Sequence, residues 1–130
     1  VLCFAGDGDF QMTCQELATA AQHGATPLIL ILDNGIYGTI RAHQERQFPA
    51  RVFGTTMVNP DFTALAHAYG FHAEKVDTTA AFAAAFDRAL AATKAGTGAV
   101  VTLAIAPEAI APRQRISTLR QTALAAQTKT

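Results

Sequence analysis

The sequence predicts an α/β protein: three layers, α/β/α, around a mainly parallel sheet. Short apolar runs, Val1–Ala5, Leu28–Leu32 and Ala99–Ile105, read as strands covered on both faces. Stretches with helical spacing alternate with them, the pattern of a parallel sheet with crossover helices. The composition, 50% hydrophobic and 15% charged over 130 residues, suits one sizeable core and does not suit a disordered chain.

The elements follow in order. Val1–Ala5 is expected as a short buried strand and Gly6–Phe10 as a turn. Thr13 to Gln22 reads as a helix with Leu17, Ala18 and Ala21 on one face, closed by Gly24. Pro27 opens the strand Leu28–Leu32. Gly35-Ile36-Tyr37-Gly38 is a second tight segment, entering a short helix through Arg41. His43 to Met57 has mixed charges and no period, and reads as a long loop. Asn59-Pro60-Asp61 has the cap, proline and acid of a helix start. Phe62, Leu65, Ala66 and Tyr69 form that helix's apolar face, and Gly70 ends it. Phe71–Val76 is a strand. Thr78 or Thr79 caps a helix whose Phe82, Phe86 and Leu90 recur every four residues as core packing, and Lys94-Ala95-Gly96 closes it. Ala99–Ile105 is the last strand. Ile116, Leu119 and Ala123 mark a weakly amphipathic terminal helix. The expected organisation is one domain over 1–106 and a tail over 107–130.

Ten basic residues balance ten acidic ones, so there is no electrostatic footprint for nucleic acid or anionic lipid. No apolar stretch approaches the roughly 20 residues of a membrane span, and no secretory signal pattern is present. Cys3 and Cys14 have no zinc or redox spacing and are expected as reduced, buried thiols, which fits a cytoplasmic protein. Val1 is not a methionine and opens inside a strand pattern, so the chain reads as a piece of a longer protein.

The chemistry is expected at two strand ends. Gly6-Asp7-Gly8 follows the first strand, and Asp33-Asn34 ends the second. A strand–helix–strand unit brings both ends to one edge of a parallel sheet. A dinucleotide fingerprint fails because its third glycine is Gln11. A calcium loop through Asp7 and Asp9 fails because Met12 and Ala18 stand where it needs glycine and glutamate. A nucleophilic aspartate of the phosphatase type, Asp7 with Asp9, lacks the Thr or Val expected at Gln11. Diphosphate held through Mg²⁺ fits better. Gly8 lets backbone approach phosphate, and the N–H groups of Gly8, Asp9 and Phe10 lead into a helix. The Asp7 carboxylate, the Asn34 amide oxygen and a backbone carbonyl just after Asn34 give three of the about six oxygens Mg²⁺ takes. The competing reading is an ordinary strand-to-helix turn and an Asx turn.

Gly6-Asp7-Gly8-Asp9-Phe10-Gln11-Met12-Thr13, Gln15-Glu16-Leu17-Ala18-Thr19-Ala20 and Asp33-Asn34-Gly35-Ile36-Tyr37-Gly38 resemble the thiamine-diphosphate-binding motif. More narrowly, they resemble the C-terminal cofactor domain of the acetolactate synthase, benzoylformate decarboxylase and pyruvate decarboxylase family. The likeness continues through Asn59-Pro60-Asp61-Phe62 and Ala68-Tyr69-Gly70, covering residues 1–105. The resemblance implies a Rossmann-like thiamine-diphosphate-binding domain lacking its first strand and helix, which would precede Val1. It implies Asp7, Asn34 and the Ile36 carbonyl as Mg²⁺ ligands. It implies Gly6, Gly8, Asp9, Phe10, Tyr37 and Gly38 around the diphosphate. Asp9 and Asp33 depart from the serine and asparagine frequent in relatives, adding negative charge beside the site.

The resemblance also implies a lyase or transferase acting on 2-oxo acids, with the cofactor as electron sink. Its activating glutamate sits on an N-terminal pyrimidine-binding domain, usually of a second subunit in a homo-oligomer. No residue here takes that role, so no catalytic residue is assigned and the chain alone is expected to be inactive. Two other readings stand beside this one: a non-catalytic oligomerisation module of the same fold, and a Mg²⁺-dependent phosphohydrolase using Asp7. His43, Gln44 and Glu45 lie where relatives cover their cofactor, and a solvated loop is the competing reading. His23, His67 and His72 are expected at the surface, Glu16 as a helix-orienting acid, and Arg113, Arg115 and Arg120 in a solvated tail.

Overall fold

The computed structural model describes residues 1–128, in two compact units. The first unit comprises Val1–Asp33 and Asn59–Ile105. Its strands are β1 (Leu2–Gly6), β2 (Leu28–Asp33), β3 (His72–Val76) and β4 (Ala99–Ala104), and its helices are α1 (Asp7–Thr13), α2 (Glu16–Gln22), α4 (Phe62–Ala68) and α5 (Thr79–Lys94). Helix α3 belongs to the second unit. The sheet runs β1-β2-β4-β3 with every neighbouring pair parallel.

Two apolar clusters make three layers. On one face, Phe10, Leu17, Phe62 and Ala66 from α1, α2 and α4 pack against Ile29, Ile31, Ala73 and Val100. On the other, Ala85 and Ala89 of α5, flanked by Phe82, Phe86 and Leu90, pack against Leu28, Leu30, Val76, Ala99 and Val101. Alternate residues of β2 and β4 thus enter opposite layers, and both strands are buried.

The expectation that the first strand is buried fails. β1 is an edge strand with Leu2 47% and Phe4 65% exposed, and Cys3 is exposed too. Leu2 and Phe4 pair in register with Leu28 and Leu30, so they share the α5 face. α5 packs on β2, β3 and β4, and the cluster beneath it includes no β1 residue. The first helix also starts earlier than expected. Asp7 is already helical, and α1 and α2 break at Cys14–Gln15. The glycine stops hold: Gly24 and Gly96 take φ of 65° and 91°, a region glycine enters without a Cβ penalty. α4 is capped by Asp61 rather than Asn59, its carboxylate accepting from the N–H groups of Thr63 and Ala64.

The second unit comprises Asn34–Val58 and the chain from Ala106 on. It contains α3 (Gly38–Gln47), β5 (Ala109–Ala111), β6 (Gln114–Arg115) and α6 (Ile116–Gln127). β5 and β6 pair antiparallel. α3 continues past Arg41 to Gln47, so His43, Gln44 and Glu45 lie on a helix, not in a loop. The reason is Glu45. It is fully buried, and Arg120 of α6 donates to it from Nε at 2.9 Å and from a terminal nitrogen at 2.5 Å. The Ala50 N–H donates to it as well, at 2.9 Å. Arg120 is therefore a structural anchor and not part of a solvated tail. Among the described residues, no helix is long and apolar enough to cross a membrane.

Candidate cofactor and metal site

Asp7 stands at the first position of α1, directly after the last residue of β1. Gly6 pairs in register with Leu32, so Asp7 and Asp33 emerge at the same edge of the sheet. Asp7 is 3% exposed. Its Oδ1 accepts from the Gly8 N–H at 3.0 Å, and its Oδ2 accepts from Asn59 Nδ2 at 2.7 Å. The same Nδ2 donates to Asp33 Oδ1 at 2.7 Å, while Asn59 Oδ1 accepts from Gln11 Nε2 at 2.7 Å. Four side chains, Gln11, Asn59, Asp7 and Asp33, thus form one network. Its Asn59 member lay in the sequence as part of a helix start. The only signal for its role was a polar residue inside the extended family likeness.

Gly8, Asp9 and Phe10 form the first turn of α1, where helix N–H groups lack an intrahelical acceptor. The Gly8 N–H is held by Asp7. The Asp9 side chain folds back, its Oδ2 accepting from the Gly6 N–H at 3.2 Å. Phe10 sends its ring into the core, edge-on to Phe62 at 5.5 Å. Both extra acids of this chain therefore have partners: Asp9 the helix start, Asp33 the Asn59 amide.

The other motif lies in the second unit. Asn34 Oδ1 accepts from the Ile36 N–H at 3.0 Å, an Asx turn. The Tyr37 N–H donates to the Thr55 carbonyl and the Met57 N–H to the Gly35 carbonyl, a one-pair bridge opposite Thr56. Arg41 fastens the same segment, donating to the hydroxyls of Thr55 and Thr56 at 2.6 and 3.0 Å. The Ile36 carbonyl takes no part in these bonds. Tyr37 is exposed and precedes Gly38, the first residue of α3.

The donor types are those a hard cation takes: Asp7 in the first unit offers a carboxylate, and Asn34 and Ile36 in the second offer an amide oxygen and a carbonyl. Among the described residues, no group of three or more His, Cys, Asp or Glu could hold a metal. Two of the four histidines have structural partners: His67 Nδ1 lies 3.2 Å from the Phe71 carbonyl, and His72 pairs with Glu74. The Glu74 carboxyl lies below its ordinary range, chiefly through the hydrogen bond from Arg88.

A parallel α/β sheet with a buried acid at its carboxyl edge, at a strand-to-helix turn, defines a domain of the class that holds phosphate-bearing cofactors. A family model described as thiamine pyrophosphate enzyme, C-terminal TPP binding domain, matches residues 1–102, and the chain belongs to that family. The chain is 38% identical over 91 residues to the acetolactate synthase isozyme 2 large subunit of Escherichia coli K12, covering 69% of this chain and 17% of that protein. It is 41% identical over 78 residues to the acetolactate synthase of Arthrospira platensis, covering 58% and 14%. Among solved structures, benzoylformate decarboxylase of Polynucleobacter necessarius superposes with a TM-score of 0.73 at 27% identity, over 83% of this chain and 20% of that one. The 4-hydroxybenzoylformate decarboxylase of Rhodococcus jostii RHA1 gives 0.74 at 30%, over 82% and 20%. The chain thus spans a fifth or less of each of these relatives.

Proposed function

We propose that this chain is the diphosphate- and Mg²⁺-binding part of a thiamine-diphosphate-dependent enzyme acting on 2-oxo acids, a decarboxylase or an acetolactate synthase-like enzyme. The observation that carries it is Asp7: a buried carboxylate at the carboxyl edge of the sheet, oriented through both oxygens, in a chain of this family. Asp7, the Asn34 side chain and the Ile36 carbonyl would hold the metal. Gly6, Gly8, Asp9 and Phe10 on one side, and Tyr37 and Gly38 on the other, would meet the diphosphate. The cofactor, when bound, supplies an electron sink next to the substrate carbonyl.

The residues of this chain would anchor the cofactor's tail. None is assigned to activate its reactive ring, so the chain alone would be inactive. A second subunit carrying a pyrimidine-binding domain would complete the site. The second reading, a module without cofactor, was motivated by Asp9 and Asp33. Both have hydrogen-bond partners in the structure: Asp9 accepts from the Gly6 N–H and Asp33 from the Asn59 amide. Calorimetric titration of thiamine diphosphate with Mg²⁺ into wild type and Asp7→Ala tests the proposal. Metal-dependent heat in wild type alone is expected. Equal heats from both proteins, or none from wild type, would sink it.

A further inference from the structure

The Asn59 amide carries an inference about how Asp7 is kept ready for a cation. It lies 52 residues from Asp7 and outside both motif segments. An Asn side chain has two N–H donors and one carbonyl acceptor. Here both donors are engaged by carboxylates, Asp7 Oδ2 and Asp33 Oδ1, each at 2.7 Å. The carbonyl accepts from Gln11 at 2.7 Å. Chemistry fixes the orientation: a flipped amide would set its oxygen against two carboxylates and its NH₂ against the Gln11 donor.

We propose that Asn59 is a positioning residue for the metal ligand Asp7, locked in turn by Gln11. This rests on the reading of Asp7 as a Mg²⁺ ligand. With Oδ1 tied to Gly8 and Oδ2 tied to Asn59, the carboxylate plane of Asp7 is set before any cation arrives. Mg²⁺ demands near-ideal octahedral geometry, so a ligand held in advance binds at lower cost than one that must be ordered. The same NH₂ stands between two like charges. Removing it leaves Asp7 and Asp33 facing each other across the sheet edge with one buried carboxylate short of a donor.

Partners of metal ligands typically lose about 10–100-fold in metal affinity when removed. The test is the Mg²⁺ dissociation constant at saturating thiamine diphosphate, measured calorimetrically on this chain. Asn59→Ala is expected to raise it by about 10-fold or more. Gln11→Leu, which leaves Asp7 untouched, is expected to raise it in the same direction by less. Asn59→Ser, which keeps one donor, is expected to fall between wild type and Asn59→Ala. Asp61→Ala is the stability control: it loses the α4 cap and should leave the constant unchanged. If wild-type binding depends on Asp7 but Asn59→Ala, Asn59→Ser and Gln11→Leu all bind Mg²⁺ as tightly as wild type, the positioning role is wrong while the site stands. If Asp61→Ala weakens Mg²⁺ as much as Asn59→Ala, general destabilisation explains the effect and the role is again wrong. If Asn59→Ala does not fold, Asn59→Ser and Gln11→Leu decide by the same criterion. Absence of Asp7-dependent binding in wild type overturns both this role and the site.

Discussion

Replacing Arg120 by methionine removes one charge from the pair that ties α6 to α3 and keeps the length of the side chain. Glu45 would then be a fully buried carboxylate with the Ala50 N–H as its remaining donor. Breaking a buried pair by deleting one partner costs about 3–5 kcal/mol. The side chain of Arg120 is 36% exposed against 1% for Glu45, so water already shares the guanidinium and the low end, about 3 kcal/mol, is expected. For a chain of this size that lowers the melting temperature by about 10 °C. The assay is thermal unfolding followed by far-UV circular dichroism. The double variant Glu45→Leu with Arg120→Met removes the stranded charge, and it is expected to recover to within about 1 kcal/mol of wild type. The pH dependence has a fixed sign. The hydrogen bond from Arg120 outweighs burial and holds the Glu45 carboxyl below its ordinary value of 4.5. A carboxyl lowered by folding contributes stability that is present above its unfolded value and lost as pH falls through the folded one. Wild type should therefore lose stability below about pH 4.5 more steeply than the double variant. Glu74 and Glu108 are also lowered, and both proteins share them. An Arg120→Met cost under about 0.5 kcal/mol, the range of an ordinary surface change, would refute the buried-pair reasoning.

Two further substitutions probe the fold around the site. In Gly98→Ala, the new Cβ would lie 2.2 Å from Cε1 and 2.5 Å from Cδ1 of the buried Phe71 ring. The ring cannot leave without opening the core, so a loss of about 2–3 kcal/mol is expected in a urea titration; an unchanged midpoint would contradict it. Asp61→Ala removes a carboxylate that accepts from two N–H groups at the start of α4. It should cost about 1 kcal/mol, read in the same titration, and a gain in stability would show that the cap is not used.

The sheet was legible because its signals are local. β2 and β4 announce themselves as continuous apolar runs, and the helix stops at Gly24 and Gly96 require a backbone only glycine adopts cheaply. The site was legible in half. Gly6-Asp7-Gly8 and Asp33-Asn34 mark strand ends, and the register of Gly6 on Leu32 confirms that Asp7 and Asp33 leave the sheet at one edge. The long stretch after Arg41 was misread because α3 has no apolar period. Its helix past Arg41 carries a buried acid, and no periodicity rule places an acid in a core.

By itself, the sequence determined the alternation of strands and helices, the two motifs at strand ends, and the family to which the chain belongs. All of these are carried by residues close together along the chain. The tertiary structure alone decided that β1 is an edge, because the order β1-β2-β4-β3 places it at one end of the sheet, outside the cluster that α5 covers. It alone joined Glu45 to Arg120 across 75 residues, and Asn59 to Asp7 across 52. Such pairs are set by where crossover connections place their elements, and their energy comes from desolvated charge meeting a donor in fixed geometry. Neither leaves a periodic trace in the amino-acid order.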